Sequence, residues 1–165
     1  MMKFPAVSAV PARASTALGS AAATPTTPAK VSGCKARAGG LLPDPSCTPE
    51  VANSLVTQEN IGGTICVAGY TKTVRPSASY TNALKTKQIK QYGYTDTDPS
   101  HYEEDHLISL ELGGAPSDPR NLWPERGASP NPKDRVENRL HAEVCARQIS
   151  LADAQNIIST DWRTG

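Results

Sequence analysis

The stretch that decides the fold reads Asp105-His106-Leu107-Ile108-Ser109-Leu110-Glu111-Leu112-Gly113-Gly114, and Asn121-Leu122-Trp123-Pro124 follows it closely. Apolar residues alternate with polar ones from Ile108 to Leu112, which is typical of an extended chain with one buried face. The double glycine then predicts a turn. The second segment predicts a short strand that ends at Pro124, so the expected order is strand, turn and strand.

A polar helix is predicted directly after these strands. Asn131 can cap it with Pro132 at its first position, a pairing that helix starts favour, and residues 132–147 carry an apolar residue every four positions. Other helices are predicted over residues 79–92 and from a capping-box pair at Ser150 and Asp153 towards the C-terminus. A helical turn near residues 58–60 and a short strand at 64–68 are expected earlier. These elements predict an α+β fold.

The length of 165 residues predicts one domain preceded by a tail. Residues 1–32 are rich in Ala, Pro, Ser and Thr without a sustained apolar face, so we expect a disordered tail or a weak signal peptide. Residues 33–165 are expected to form the single folded domain. No run of about 18 apolar residues is present, so no membrane span is expected.

The four cysteines are Cys34, Cys47, Cys66 and Cys145. None belongs to a Cys-x-x-Cys pair, which argues against a zinc ribbon and favours two disulfides with three possible pairings. Disulfides would staple an irregular N-terminal part of the domain and indicate a secreted or periplasmic protein. The alternative is four reduced thiols in a cytoplasmic protein whose leader is not a signal.

Charge is uneven along the chain, although the formal net charge is only +1. Residues 71–93 contain five Lys or Arg and no acid, whereas residues 94–111 contain six acids and no Lys or Arg. Such neighbouring segments suit a site where cations hold phosphates and carboxylates hold a metal, and two solvated faces of opposite sign are the other interpretation. The candidate nucleic-acid contacts are Lys85, Lys87, Lys90, Lys133 and Arg135.

Asp105 and His106 combine two groups that metal-assisted hydrolysis of a phosphodiester needs. A neutral imidazole can accept the proton of the attacking water, since the pKa of free histidine, about 6.5, leaves it mostly uncharged near neutrality. A divalent cation such as Mg²⁺, held by carboxylate oxygen, can stabilise the phosphate charge and hold the leaving oxygen. Neighbouring side chains of an extended chain point to opposite sides, so one can face the metal and the other the water.

The second metal ligand is expected from the helix at residues 132–147. At about 100° per residue, the flank beside the apolar stripe comprises Asp134, Glu137, Asn138 and His141. Asn138 and His141 are the preferred candidates because each offers a neutral ligand, and Glu137 stands nearer the apolar edge. Asn121 is expected to bond the His106 ring or a nearby carbonyl and so to orient the base.

This order of residues resembles the motif of the HNH (His-Me finger, ββα-metal) nucleases: Asp-His, Gly-Gly eight residues after the aspartate, Asn-Leu, and a helix with Asn and His. It covers residues 105 to about 141, and the wider run through Trp123-Pro124-Glu125 resembles small cysteine-containing bacterial HNH-type proteins. The resemblance implies a hairpin and helix around one divalent metal, flanked by further helices. It implies His106 as general base, Asp105 as metal ligand and Asn121 as the support of the histidine.

The resemblance therefore implies an endonuclease that depends on one divalent metal ion, with Mg²⁺ as the expected ion, and that hydrolyses DNA, with RNA as the alternative substrate. The chain departs from the family's pattern because it has no Cys-x-x-Cys zinc knuckle, and because Asn131-Pro132-Lys133 replaces the usual helix signature. The choice of helix ligand stays open for that reason. Two alternatives are a secreted binding module that keeps the fold without catalysis, and a metal-dependent hydrolase of small phosphoesters.

Overall fold

The residues that this computed structural model describes, 33–165, combine four α-helices, several 3₁₀ turns and one two-stranded antiparallel sheet. The elements in chain order are α1 (Tyr70–Val74), α2 (Ala78–Gln91), β1 (Tyr102–His106), β2 (Leu122–Arg126), α3 (Pro132–Cys145) and α4 (Leu151–Asp161). This mixture confirms the expected α+β class. The expected tail or signal peptide at residues 1–32 lies outside the described residues.

Helices α3 and α4 begin at the caps predicted from the sequence, whereas α2 begins at Ala78, one residue before its predicted start. Ser77 accepts from the backbone N–H of Tyr80 at the start of α2. Asn131 and Asp134 form a capping box at α3. Ser150 accepts from the Asp153 backbone at α4. Each cap satisfies backbone donors that have no partner inside the helix, and the signal for these starts is therefore local.

The strands differ from the prediction in position. β1 ends at His106, and Leu110–Leu112 form a 3₁₀ turn, so the prediction of an extended chain there was wrong. The alternation misled because Ile108, Leu110 and Leu112 are all buried in a loop that folds back on itself. β2 continues through Pro124, which lies opposite Glu104, because an edge strand tolerates a residue without an N–H.

Within the described residues, the part of the chain that precedes α2 contains no strand. Residues 64–68 form consecutive turns, with the N–H groups of Thr64 and Cys66 both donating to the Ile61 carbonyl, so the predicted strand was wrong. The tight turns bring Cys66 to the end of α3, where it is bonded to Cys145. A disulfide and not a strand partner holds this segment.

Two disulfides are present, as expected, and they pair Cys34 with Cys47 and Cys66 with Cys145. The first closes a short loop of the irregular N-terminal part, and the second joins that part to α3. Paired cysteines are typical of a non-reducing compartment. Among the described residues, no helix has the length and apolar character that crossing a membrane requires.

Candidate active site

A cavity of about 150 Å³ lies along β1, and four consecutive residues of that strand, 103–106, line it. Its other walls include Arg75 just after α1, Ser109 in the loop after β1, and Asp134 and Glu137 on α3. The antiparallel pairing sets Asp105 opposite Trp123 and His106 opposite Leu122. The central Asp-His pair is thus anchored to β2 while its side chains border the cavity.

Lys133 provides the connection between α3 and the Asp-His pair. Its Nζ donates to Asp105 Oδ2 at 2.8 Å, to the His106 carbonyl at 2.8 Å and to Glu137 Oε1 at 2.6 Å. The residue is only 1% exposed. Burial alone would lower the pKa of Lys133, but Asp105 and Glu137 raise it above its ordinary value, so the ammonium stays charged.

The ring of His106 is buried and held in one orientation. Its Nε2 lies 2.9 Å from the Pro116 carbonyl oxygen, and because a carbonyl can only accept, Nε2 carries the proton of this bond. Burial lowers the pKa of the imidazole, which favours the neutral ring. Nδ1 is then the nitrogen with a free lone pair, as a general base requires.

Asn121 supports the loop between the strands and does not bond the imidazole. Its Oδ1 accepts from the Ile108 N–H at 3.0 Å, and its Nδ2 donates to the carbonyls of Ile108 and Ala115 at 3.0 and 3.1 Å. Gly114 packs so closely here that a Cβ would lie 1.8 Å from the Ile108 oxygen. Asn121 therefore positions the backbone that precedes Pro116, and it reaches His106 only through that backbone.

Several carboxyl groups of the site are buried with too few hydrogen-bond donors and cations around them to balance a negative charge. Burial raises the pKa of Glu104 to about 8, and both of its oxygens lack a hydrogen-bond partner within the described residues. Burial likewise raises the pKa of Glu137 to about 7. On β2, burial and the charge of Asp105 raise the pKa of Glu125 to about 8. The site thus holds more potential negative charge than its own cations neutralise.

Asn131 links this acidic group to the start of α3. Its side-chain oxygen caps the helix, while its Nδ2 lies 3.3 Å from Glu103 Oε2 and 3.4 Å from Glu125 Oε2. Glu103 and Glu125 are directly opposite each other in the sheet, where like charges are unfavourable. The sequence identified Asn131 as a cap, and the structure adds its contact with the two acids.

The structure places the expected helix ligands away from the Asp-His pair. Asn138 is exposed, and its Nδ2 donates to the Asp134 carbonyl. His141 lies one turn further along α3 and bonds the Ile65 carbonyl through Nε2 at 2.9 Å. Asp134 and Glu137 are the α3 side chains that line the cavity. The apolar stripe of α3 packs against the core, and this orientation of the helix turns Lys133 and Glu137 towards β1.

The expected nucleic-acid contacts are not equally available. Lys133 is buried in its ion pairs, so its ammonium is not on the surface to meet a phosphate. Lys85 is partly buried and donates to the Tyr102 carbonyl at 3.0 Å. Lys87 and Lys90 on α2 and Arg135 on α3 are exposed, and they stay candidates for such contacts.

A different cluster brings Cys66, His141 and Cys145 together, with their ligand atoms within 4.8 Å of one another. The two cysteines form a disulfide with each other. A metal requires the thiolate form, so this cluster offers only the imidazole in the oxidised protein. Its structural role is the disulfide, which links the segment around Cys66 to the C-terminal end of α3.

The donor set of the cavity fits a hard divalent cation. Carboxylate oxygens are the preferred ligands, and Mg²⁺ commonly uses one or two of them together with substrate phosphate and water. Among residues 33–165, no three ligand atoms of this cavity already lie within 4.8 Å of one another, since the Lys133 ammonium lies between Asp105 and Glu137. Consecutive side chains of a strand point to opposite sides, but Glu104 and Asp105 both line this cavity near the end of β1, so the residues suit a metal held by both, without an all-protein cage.

The sequence analysis did not single out Glu104, Arg75, Ser109 or Ser129, which all line the cavity. Glu104 and Arg75 are single charges of longer charged segments, and Ser109 is a polar position in an alternating run. Ser109 lies close to His106 in sequence, whereas Arg75 is distant, and the fold brings Arg75 to the same cavity. No family model, curated protein or solved structure was found to match this chain.

Proposed function

We propose that this protein is an HNH-type, metal-dependent endonuclease that hydrolyses phosphodiester bonds of DNA, with RNA as the alternative substrate. The observation that carries the proposal is the position of the buried imidazole of His106, which lines one cavity with Asp105 and the unpartnered carboxyl group of Glu104. A base and a cation-binding pair are thereby adjacent. The hairpin of β1 and β2 followed by α3 agrees with the ββα-metal arrangement that the motif implies.

His106 is the general base in this proposal. The Pro116 carbonyl holds the proton on Nε2, so Nδ1 accepts the proton of the attacking water. Lys133 holds both the Asp105 carboxylate and the His106 carbonyl, which fixes the strand end that presents the base. Asn121 and Gly114 maintain the loop that supplies the Pro116 oxygen.

Asp105 and Glu104 hold one divalent cation in this proposal, with Mg²⁺ as the expected ion. When bound, the cation supplies charge stabilisation to the phosphate and to the leaving oxygen. The Trp123 indole donates to Asp105 Oδ2 at 3.2 Å and Lys133 bonds the same oxygen. Oδ1 is therefore the Asp105 oxygen available to a metal. We also propose that the protein is secreted or periplasmic, which the two disulfides support.

The proposal is tested by incubating the purified full chain with supercoiled plasmid in the presence of Mg²⁺ or EDTA. We expect nicking with Mg²⁺ and none with EDTA. A parallel reaction with bis(4-nitrophenyl) phosphate separates the rivals, because a small-phosphoester hydrolase would cleave this compound and leave the plasmid intact. A folded protein that cleaves neither substrate would overturn the proposal and favour the non-catalytic binding module.

Stability is expected to depend on pH and Mg²⁺ together. The raised pKa of Glu104, about 8 against 4.5 for an ordinary glutamate, means that the folded state binds more protons than the unfolded state between these values. Stability therefore falls as pH rises through this window. A bound cation offsets the loss, so Mg²⁺ should raise the Tm more at about pH 8 than at about pH 5.5.

Thermal unfolding with Mg²⁺ or EDTA at both pH values measures this effect. Glu104→Gln should reduce the pH dependence, with the part due to the raised pKa values of Glu125 and Glu137 remaining, and should remove most of the gain from Mg²⁺. Glu50→Gln, at an exposed position away from the cavity, is the matched control and should behave as the wild type. An equal Mg²⁺ effect at both pH values in the wild type would contradict the expectation.

A further inference from the structure

The lining of the cavity along β1 combines two kinds of side chain. Carboxyl groups come from β1 and α3, and Arg75 and Ser109 also line the cavity. A phosphate that enters such a cavity is repelled by unneutralised carboxylates. Binding of an anionic substrate therefore needs donors other than the residues assigned to the metal.

Arg75 is the cation of this lining that remains available. It is exposed, directly follows α1, and precedes Pro76, which restricts the backbone at that point. Within residues 33–165, its guanidinium takes part in no ion pair. A guanidinium presents a fork of N–H donors that matches two oxygens of one phosphate.

Ser109 supplies an independent observation. The residue is 6% exposed, and its Oγ has no hydrogen-bond partner among the described residues. It occupies the N-cap position of the Leu110–Leu112 turn, yet its side chain does not cap that turn. In contrast, its backbone carbonyl accepts hydrogen bonds from the backbone N–H groups of Leu112 and Gly114. A buried hydroxyl without a hydrogen-bond partner destabilises the folded protein, so this hydroxyl is not there for the stability of the free protein.

We propose that Arg75 and Ser109 form the phosphate-binding subsite of this cavity and hold the non-bridging oxygens of a nucleic-acid phosphodiester. Arg75 binds through charge and its N–H fork, and Ser109 donates one neutral hydrogen bond. The assignment rests on the proposed nuclease function and adds the residues that bind its substrate. It also separates the residues that would hold the metal from those that bind the phosphate.

Binding of a fluorescent DNA duplex, followed by anisotropy at several salt concentrations with Mg²⁺, tests this subsite. The full chain carries His106→Ala, so that the DNA stays intact during the measurement. Adding Arg75→Ala should weaken binding about tenfold or more and reduce the slope of log affinity against log salt by about one. Arg75→Lys should restore the slope but not the full affinity, because an ammonium lacks the fork.

Ser109→Ala on the same background should weaken binding about tenfold and leave the salt slope unchanged, since no charge is lost. Its free energy of unfolding should not fall, because the substitution removes an unpaired buried hydroxyl. The controls are Lys72→Ala, at an exposed lysine one turn before Arg75, and Ser117→Ala, at an exposed serine; neither residue lines the cavity. Both should bind as the parent does.

Affinities of the Arg75 and Ser109 variants within about twofold of their controls would overturn the subsite. A parent protein that binds no duplex would overturn it as well. Neither result depends on cleavage, whereas failure of the wild type to nick plasmid with Mg²⁺ overturns the proposed function. The two proposals can therefore fail separately.

Discussion

His106→Ala is expected to lower the rate of Mg²⁺-dependent plasmid nicking by about 10²–10⁴-fold. The substitution removes the nitrogen that accepts the proton of the attacking water, while Asp105, Glu104 and Arg75 stay in place. The loss should appear in kcat and not in KM, because the imidazole acts in the transition state. Quantified gels or a fluorescent-substrate assay under single-turnover conditions measure it.

His101→Ala is the matched control. His101 is exposed and pairs with Asp96 through Nδ1 at 2.8 Å, outside the residues that line the cavity. Its loss should leave the rate within about twofold of wild type. Because burial lowers the pKa of His106, protonation of the imidazole should lower the wild-type rate only below about pH 6.5, when the Mg²⁺ concentration is high enough to saturate the site at each pH. A folded His106→Ala protein that retains more than about a tenth of the activity would refute the role of base.

Lys133→Met is expected to reduce the free energy of unfolding by about 3–5 kcal/mol near neutral pH. Methionine fills a similar volume but leaves Asp105 and Glu137 close together without the ammonium between them. The loss should shrink as pH falls, because protonation of the carboxyl groups removes the uncompensated charge. Denaturant titrations monitored by circular dichroism at two pH values measure both effects.

Lys87→Met provides the comparison, since Lys87 is an exposed lysine of α2 and its removal should change stability by less than about 0.5 kcal/mol. A triple variant with Asp105→Asn and Glu137→Gln added to Lys133→Met should recover part of the loss, because all three charges are then absent. A Lys133→Met protein within about 1 kcal/mol of wild type would show that the buried ion pairs do not hold α3 against β1.

Local signals predicted the three longer helices but not the short helix α1 or the loop after β1. Asn131, Ser77 and Ser150 satisfy backbone donors within three residues of their own position, so a short window of sequence contains the whole cause. The segment from Ile108 to Leu112 alternates like a strand, but both faces are covered, and bonds from Asn121 turn it into a loop. The burial of that loop comes from distant elements that no window contains.

The sequence by itself determined the α+β class, the capped starts of α3 and α4 and the even number of cysteines, and it directed the functional proposal to the Asp-His pair. Only the tertiary structure decided the pairing of those cysteines and the burial of Lys133 between Asp105 and Glu137. It also decided that His141 lies beside a disulfide and that Arg75 and Ser109 line the same cavity. The physical reason is the range of the forces involved. Caps and turns are made by neighbours in the chain, whereas burial, and with it every shifted pKa of the site, depends on which remote segments exclude water.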